Sequence, residues 1–407
     1  MHSSAPSTPQ HGDAQGLTVP TPERPHGECP VVRGTDGTWE VRGHAEVLSV
    51  VTSPDVFSSR GRNHLHVPNG MDADEHRRFR TVIDRHLSDD RILALAPMVT
   101  AEANRVAIDV VTRATEHHVG AVEIVHEVGR RVAVRVQSRW LGWPETLEDE
   151  LLEWIEDNFA ATRSGVRSQT DRVAEHFDRI IRTIVADRRD QEALGEQPPD
   201  DPMTRLLHDM VEDPAAPGGE RRLSEPEIVS ILRNWTAGDL GSIAESIGVV
   251  LHYVAHPDNA ALQEELRRLS SDEENHTEVL DSAVDEMLRI NDPFPSNRRI
   301  VARTTELAGQ LLEEGERVMV NWATANRDAR AFDDPDDFRP VENRALNLVY
   351  GAGPHVCPGR LLSTLQIRGA LTAVLRATTS LTLDPANPPV HRPAPSLGFD
   401  RVPVLVS

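Results

Sequence analysis

One cysteine near the end of the chain follows a glycine-rich turn and directly precedes a helix-forming segment. The turn runs from Tyr350 to Gly359 and contains Cys357. Glycine permits positive φ and lets the backbone approach a flat ligand closely. Backbone N–H groups turned toward the sulfur, together with the N-terminus of the following helix, favour a thiolate. The segment therefore predicts that Cys357 binds a metal as a thiolate and is more than a buried structural cysteine.

Amphipathic helices account for most of the chain after about residue 72. Apolar residues recur there with the period of 3.6 that marks a helix packed on one face, and Pro, Gly and Asp clusters separate the segments. The predicted fold class is mainly α with a small β region. The predicted strands form a hairpin over 31–42 around the Asp36-Gly37 turn and return at 298–303, 317–321 and 402–406, while the predicted helices span 72–87, 92–113, 118–140, 146–163, 167–190, 224–254, 257–268, 276–290 and 359–376.

Length and composition favour a single large domain. The chain has 407 residues, of which 38% are hydrophobic, enough for a sizeable core. We expect residues 1–28, rich in Ser, Pro and His, to form a disordered tail, and residues 29–407 to form one domain. The sequence contains no dinucleotide-binding glycine fingerprint and no CxxC iron–sulfur pattern. Any electrons that the protein needs must therefore come from another polypeptide.

Charge and cysteine usage limit the possible partners and the compartment. The net charge of -22 argues against nucleic acid or an anionic membrane as a partner, because both require basic patches. No run of eighteen apolar residues occurs, so neither a membrane anchor nor a secretory signal is expected. With only Cys29 and Cys357, a disulfide framework is not expected and a cytoplasmic location is predicted.

The cysteine segment resembles the FxxGxxxCxG pattern of the cytochrome P450 family. Gly351, Cys357 and Gly359 match that pattern, His355 stands where the family often has histidine, and Tyr350 replaces the usual Phe. The resemblance covers the chain from about residue 30 and implies the cytochrome P450 fold. It also implies a haem b with Cys357 as the axial ligand, whose electron donation favours O–O cleavage. Non-covalent binding is expected because no CxxCH attachment motif occurs.

An ExxR motif about 70 residues before the cysteine strengthens the resemblance. Glu286 and Arg289 are three residues apart, a helical spacing that lets carboxylate and guanidinium meet. In the family this pair is a buried structural lock, usually joined by a second arginine. Glu342 stands at that arginine's position here, so the sequence leaves two alternatives open: Arg339 or Arg344 replaces it, or the lock is looser.

A third motif, Asp72-Ala73-Asp74-Glu75-His76-Arg77-Arg78-Phe79-Arg80, looks like the family's DxxEHxxxR helix. In relatives the histidine and the arginine of the DxxEHxxxR pattern bind haem propionates, which suits charge-assisted hydrogen bonds to carboxylates. The resemblance gives this role to His76, Arg80, His355 and Arg299, with Arg298 as the competitor of Arg299.

The expected distal helix departs from the family pattern. Related enzymes usually read A-G-x-(D/E)-T-T, and the acid and the alcohol help deliver protons during dioxygen activation. In direct register this chain has Leu240 and Gly241 at those two positions, and neither side chain can relay a proton. The nearest polar candidates are Asp239, Ser242, Thr236 and Glu245.

Three explanations of this departure remain open. A one-residue helical bulge would bring Asp239 or Ser242 over the metal. An ordered water or a substrate group would carry the protons instead. Alternatively, the enzyme would use peroxide, or would perform chemistry that needs no dioxygen cleavage.

The resemblance implies a monooxygenase or oxidase acting on a small metabolite, by hydroxylation or oxidative coupling in secondary metabolism. A ferredoxin-type carrier would supply electrons near Cys357, where Arg77, Arg78 and Arg360 would meet an acidic partner. The alternatives are a peroxide-driven or non-oxygenating enzyme and a non-catalytic haem module.

Polar residues in the expected pocket weakly favour a polar or acidic substrate. The pocket is expected at 58–71, including Arg60, Arg62, Asn63, His64 and His66, at 146–190, at the middle of 224–254, at 293–297, including Ser296 and Asn297, and at 395–399.

Overall fold

The predicted predominance of helices is confirmed by the structure, a computed structural model that describes residues 29–61, 65–116, 120–393 and 396–407. The predicted disordered tail, residues 1–28, lies outside these ranges. The described helices are α1 (His44–Val51), α2 (Ala73–His86), α3 (Asp89–Leu93), α4 (Ala96–Glu116), α5 (Arg131–Leu141), α6 (Glu148–Ser164), α7 (Arg167–Ala193), α8 (Pro202–His208), α9 (Glu225–Asn234), α10 (Ala237–Ala255), α11 (Ala260–Ser270), α12 (Glu273–Ile290), α13 (Trp322–Ala325) and α14 (Arg360–Ala377).

The β region consists of short strands in several small sheets. The largest sheet has the order β1-β2-β10-β7-β3 and contains the predicted hairpin, whose turn includes Gly37 at a φ of 80°. The strands are β1 (Val31–Arg33), β2 (Trp39–Val41), β3 (Phe57–Ser58), β4 (Ala121–Glu123), β5 (Met210–Glu212), β6 (Glu220–Arg222), β7 (Ser296–Val301), β8 (Thr305–Leu307), β9 (Gln310–Leu312), β10 (Arg317–Asn321), β11 (Leu381–Leu383), β12 (Val390–His391), β13 (Phe399–Arg401) and β14 (Pro403–Val406).

The main core lies where α14 packs between α4, α10 and α12. Small residues permit the close crossings. A Cβ at Gly369 of α14 would lie 3.3 Å from Val99 Cγ1 of α4, and one at Gly129 would lie 2.8 Å from the carbonyl oxygen of Ala244 in α10. These contacts hold α10 against the segment before α5 and fix its position over the start of α14.

Two predicted helices are divided in the structure. The segment predicted as one helix over 118–140 begins with strand β4, which pairs with β14, and continues as a π-helix, Ile124–Arg130, before α5. The Glu123 carboxylate accepts the N–H groups of Val125 and His126, so it caps the helix at that point.

The segment predicted as a single distal helix over 224–254 is two helices, α9 and α10. The break falls at Trp235 and Thr236, where Thr236 has φ -129° and ψ -73°. The Thr236 hydroxyl donates to the carbonyl of Leu232 at 2.7 Å, a local side-chain bond that competes with helix continuation. The structure therefore has a break between two helices at this point, and not the one-residue bulge that was one of the alternatives from the sequence.

None of the helices in the described ranges is long and apolar enough to cross a membrane.

Candidate active site

The Cys loop, residues 350–359, has a backbone that requires glycine. Gly351 and Gly353 adopt φ values of 72° and 70°. A Cβ at Gly353 would lie 2.5 Å from the carbonyl oxygen of Val51, so a larger residue would displace the loop. The N–H of Cys357 donates to the carbonyl of Tyr350 at 2.9 Å, which closes the turn immediately before α14.

The environment of Cys357 is suited to a metal-bound thiolate. Burial, and after it the negative charge of Asp239, raise the pKa of the Cys357 thiol to about 12. The N–H of Gly359 and the guanidinium groups of Arg80 and Arg360 lower that pKa, but only partly. A thiol with this pKa keeps its proton at neutral pH unless a cation binds the sulfur. The site therefore has the donor atom and the enclosure that a metal ion would complete.

Four basic side chains, two arginines and two histidines, converge beside the Cys loop and are here termed the cation cluster. The rings of His76 and His355 are 4.1 Å apart, and Arg80 Nη1 donates to the carbonyls of Pro354 and Val356 at 3.1 and 2.8 Å. The pKa of His355 falls to about 4 because the ring is buried and because His76, Arg299 and Arg80 are close by. The cation cluster is His76, Arg80, Arg299 and His355.

Carboxylates balance the cation cluster only in part: Arg80 Nε donates to Asp84 Oδ1 at 2.6 Å, and His355 Nε2 lies 3.8 Å from Asp72 Oδ1. His76 Nε2 is buried and has no hydrogen-bond partner among the described residues. Asp72 is the nearby carboxylate, but it accepts hydrogen bonds from Ser58 Oγ and from the N–H of Ser59. Burial and the neighbouring Arg80 also lower the pKa of His76. Two carboxylates of a bound cofactor would satisfy this surplus of donors, as haem propionates do.

Strand alternation separates the two arginines that competed for the propionate role. On β7, Arg298 is exposed, whereas Arg299 is half-buried and turned toward Asp72 and His355. Successive side chains of a strand point to opposite faces, so only one of the two can belong to the cation cluster. The structure places Arg299 there and leaves Arg298 on the other face.

Glu286 and Arg289 form a fully enclosed ion pair, with Nε and Nη2 donating to the two carboxylate oxygens at 2.8 Å each. Arg289 Nη1 also donates to the carbonyls of Asn326 and Pro335, at 2.7 and 2.8 Å. These bonds tie α12 to the irregular segment before the Cys loop. Glu286 and Arg289 are the structural lock that the sequence predicted.

The side chains of Arg339 and Arg344 do not take the place of the missing third member of the lock. Asn343 Nδ2 donates to Glu286 Oε1 at 2.8 Å, and Arg339 contributes only its backbone N–H, at 2.9 Å. The guanidinium group of Arg339 pairs with Asp334, while that of Arg344 pairs with Glu278. A neutral amide therefore replaces the arginine. The sequence carried no signal for this, because nothing marks Asn343 as buried.

Tyr350 and Arg360 form a second support behind the Cys loop. The Tyr350 hydroxyl lies 2.8 Å from Thr364 Oγ1, and Arg360 stacks over the Tyr350 ring at 5.2 Å. Arg360 also pairs with Asp285 at 2.7 Å. The hydroxyl that distinguishes Tyr350 from the usual Phe therefore has a hydrogen-bond partner, so it can be accommodated in the interior.

Asp239 lies on α10, close enough to Cys357 for its negative charge to raise the pKa of the thiol. Burial raises the pKa of Asp239 to about 7, and a hydrogen bond from Gln137 lowers it only partly. Gln137 Nε2 donates to Asp239 Oδ2 at 3.1 Å. Asp239 is half-buried, and the adjacent Gly238 is exposed. Near neutral pH, Asp239 can therefore both hold and release a proton.

The other distal candidates are placed differently. Ser242 is half-buried, and its hydroxyl donates to the backbone carbonyl of Asp239 at 3.2 Å. Thr236 is 1% exposed, and its hydroxyl is used within the helix break. Glu245 is buried, lies 3.3 Å from Arg392 Nε and accepts from Ser396 Oγ. Of the polar candidates, only Asp239 and Ser242 retain accessible surface.

The two family positions that lack polar groups are filled with packing contacts. Leu240 is buried in the main core. A Cβ at Gly241 would lie 2.9 Å from Phe159 of α6, so an alcohol side chain there would meet an aromatic ring. The side chains packed around positions 240 and 241 therefore suit leucine and glycine there and leave no room for a threonine at position 241.

Several polar residues of the expected pocket already have protein partners. Arg60 pairs with Glu75 and lies 3.7 Å from Asp72, and Asn297 Oδ1 accepts from Trp322 Nε1 at 2.6 Å. Arg62, Asn63 and His64 lie outside the described residues, as does the start of the turn at 395–399. The described part of the pocket therefore gives little support to an acidic substrate.

Comparison with known proteins identifies the family of this site. The sequence model described as Cytochrome P450 matches residues 150–403. The 6-deoxyerythronolide B hydroxylase of Saccharopolyspora erythraea is 27% identical, over 86% of this chain and 80% of that protein. The steroid C26-monooxygenase of Mycolicibacterium smegmatis is 25% identical, over 92% and 89%. The open cytochrome P450 EryK from S. erythraea has a TM-score of 0.80 at 22% identity and covers 94% of each chain, which shows the same fold.

Proposed function

This chain belongs to the cytochrome P450 family of monooxygenases, and we propose that it inserts oxygen into, or oxidatively couples, a small metabolite with the help of a haem b that the sulfur of Cys357 would hold. The observation that carries the proposal is the enclosed thiol of Cys357 beside a cluster of basic side chains in which His76 Nε2 is buried without a hydrogen-bond partner among the described residues. When bound, the haem supplies the redox chemistry that activates oxygen. The chain's own residues bind it, orient the substrate and control protons.

His76, Arg80, Arg299 and His355 are the residues that would hold the propionates. The unpartnered His76 Nε2 supports this role, as does the position of His355, whose pKa is lowered by burial and by the neighbouring His76, Arg299 and Arg80. Arg80 has a second function, because its bonds to the carbonyls of Pro354 and Val356 fix the Cys loop. Tyr350, Gly351 and Gly359 shape the backbone around the sulfur.

Asp239 is the acid that supplies protons during turnover. Its carboxyl has no cationic partner among the described residues, and its pKa near 7 keeps both protonation states available. Ser242 is less suited to this role, since its hydroxyl already donates to the carbonyl of Asp239. Thr236 is excluded from the role because it is buried in the helix break.

The substrate class rests on the named activities of relatives. These include 6-deoxyerythronolide B hydroxylase, erythromycin C-12 hydroxylase and cyclomarin C epoxidase, with identities of 27%, 27% and 25%. Hydroxylation and epoxidation are both oxygen insertions. By this analogy the substrate is a small molecule of secondary metabolism.

A ferredoxin-type carrier supplies the electrons. Arg77 and Arg360 are exposed beside the Cys loop, but Arg77 lies 3.5 Å from Glu212 and Arg360 is bound to Asp285. Arg78 donates to the backbone of Glu212. An acidic carrier therefore competes with existing ion pairs, and its docking weakens as salt rises.

The test compares product formation with dioxygen, NAD(P)H and surrogate carriers against product formation with hydrogen peroxide alone. We expect turnover in the first regime and a loss of about a hundredfold in Asp239→Asn, the scale of one general acid. Because the acid form of Asp239 prevails below its pKa of about 7, turnover should fall as the pH rises through 7. Asp239→Asn should lack this decline.

Glu245→Gln is the matched control. Glu245 is also a buried acid of α10 whose pKa is raised to about 7 by burial, but Arg392 and Ser396 already occupy its carboxylate. The fall in turnover as the pH rises through 7 should therefore remain in Glu245→Gln. Turnover chiefly with peroxide would contradict the monooxygenase proposal, and ligand binding without turnover under either oxidant would indicate a non-catalytic module.

A further inference from the structure

Gln137 is a buried polar residue of α5 that contacts the proposed acid. The side chain is 1% exposed, and α5 packs against α10. Its Nε2 donates to Asp239 Oδ2 at 3.1 Å, while its Oε1 is buried with no partner among the described residues. A buried amide with an unsatisfied oxygen is costly, so this residue calls for an explanation beyond packing.

Gln137 binds only one of the two carboxylate oxygens of Asp239. Oδ2 accepts the amide of Gln137, whereas Oδ1 accepts no hydrogen bond from the described residues. Asp239 retains accessible surface although the neighbouring Leu240 is buried. Since Oδ2 already receives an N–H, a proton on the carboxyl is better placed on Oδ1, the oxygen without a partner.

A neutral donor suits this task better than a cation. Glu245 on the same helix lies 3.3 Å from Arg392, whose positive charge lowers the pKa that burial raises, whereas Gln137 carries no charge. An amide donor orients the carboxyl while permitting both protonation states. Gln137 therefore fixes the geometry of Asp239 without fixing its charge.

We propose that Gln137 is a positioning residue for Asp239: by occupying Oδ2, it directs the acidic proton to Oδ1, on the accessible side of α10. The proton leaves from Oδ1 during turnover, and water returns one to the same oxygen. This inference rests on the proposed role of Asp239 as the acid. It assigns a function to an α5 residue that no sequence motif marks.

The first readout is the infrared carbonyl band of protonated Asp239, isolated by subtracting the Asp239→Asn spectrum. With the proton on Oδ1, the carbonyl oxygen is Oδ2, the atom that Gln137 binds. Gln137→Met has a similar shape and no donor, so the band should move to higher frequency. An unchanged band would place the proton on Oδ2 and would overturn the proposal.

The second readout is the pH profile of turnover. Loss of a hydrogen bond that lowers the pKa of Asp239 should move the decline to higher pH in Gln137→Met. Below the decline, turnover should fall about tenfold because the carboxyl is no longer held in place. A profile identical to that of the wild-type protein would contradict the proposal.

Gln263→Met is the matched control. Gln263 is a half-buried glutamine whose Nε2 donates to the carbonyls of Val254 and Leu381. Gln263→Met therefore removes a glutamine with buried hydrogen bonds that does not contact Asp239, and it shows how far a loss of stability alone changes the two readouts. Its band position and pH profile should remain those of the wild-type protein.

The outcomes separate the two proposals. If Asp239→Asn lowers turnover but Gln137→Met changes neither readout, Asp239 acts as the acid without Gln137. If Gln137→Met moves the band while Asp239→Asn leaves turnover intact, the contact is real but Asp239 is not the acid, and the positioning role falls with it.

Discussion

The region around Cys357 and the distal helix α10 face the same interior but are built differently. Around Cys357, glycines set the backbone, Arg80 binds the carbonyls of the loop, and the buried Glu286–Arg289 pair ties it to α12. On α10, a single amide holds Asp239, and the helix is interrupted just before it. The region around Cys357 carries the motifs that match the family pattern, whereas α10 has Leu240 and Gly241 where that pattern has an acid and a threonine. The region held by many contacts is therefore the one that the sequence marks most clearly.

The largest expected effect comes from replacing the metal ligand. Cys357→His should abolish the absorption signature of the thiolate in the carbon monoxide complex of the reduced protein, together with oxygen insertion, because imidazole donates less electron density than a thiolate. Cys29→Ser is the control, since Cys29 is the other cysteine of the chain and is exposed. Persistence of the thiolate signature in Cys357→His would show that another residue is the ligand.

The next largest effect concerns the stability of the region around Cys357. Arg289→Met leaves the Glu286 carboxylate buried without its cation, a change that costs about 3–5 kcal/mol in the free energy of unfolding. Urea denaturation would measure this loss. Arg268→Met removes an exposed pair with Glu265 at the same spacing and should leave the denaturation midpoint unchanged. Equal midpoints for the two variants would mean that the lock does not stabilise the fold.

The sequence predicted the region around Cys357 well because its motifs combine residue type with spacing. The Glu286–Arg289 pair and the helix that follows Asp72 are present in the structure as these motifs predicted, whereas the role of Cys357 as a metal ligand stays a prediction. The choice between Arg298 and Arg299 needed the register of β7, which a single sequence does not supply.

The sequence predicted the distal region less well because long-range packing determines it. The apolar period over 224–254 continues through the break at Thr236, so periodicity alone predicts one helix. Gln137 meets Asp239 only because α5 crosses α10, and the partners are 102 residues apart. Asn343 is the same kind of omission near the lock, since its burial depends on the path of an irregular segment.

Asn343→Leu should have an intermediate effect and sharpen the account of the lock. The change removes one of the donors to Glu286 Oε1, while Arg289 and the N–H of Arg339 remain. Loss of a buried hydrogen bond to a charged group costs about 1–3 kcal/mol, less than the expected cost of Arg289→Met. Arg339→Ala keeps the backbone donor and should leave the lock intact. A larger loss in Arg339→Ala than in Asn343→Leu would show that the arginine side chain is the third member.

The smallest expected effect distinguishes the two accessible groups of α10. The Ser242 hydroxyl donates to the carbonyl of Asp239, a bond within the helix that adds little to stability or to proton transfer. Ser242→Ala should therefore change turnover by about twofold or less, the scale of 0.5 kcal/mol for a weak neutral hydrogen bond. Product formation with dioxygen and NAD(P)H, measured across the neutral pH range, would test this.

The pH profile makes the comparison of Ser242 with Asp239 decisive. If Asp239 is the acid, Ser242→Ala keeps the decline near pH 7 that follows from the raised pKa of Asp239, because the ionising carboxyl is still present. If instead the hydroxyl relays the proton, Ser242→Ala should lose turnover as severely as Asp239→Asn, and product formation should respond to a residue that does not itself titrate near neutrality. A large loss with a flat profile would move the proton path from the carboxyl to the alcohol, and the distal helix would then resemble its relatives more closely than its sequence indicates.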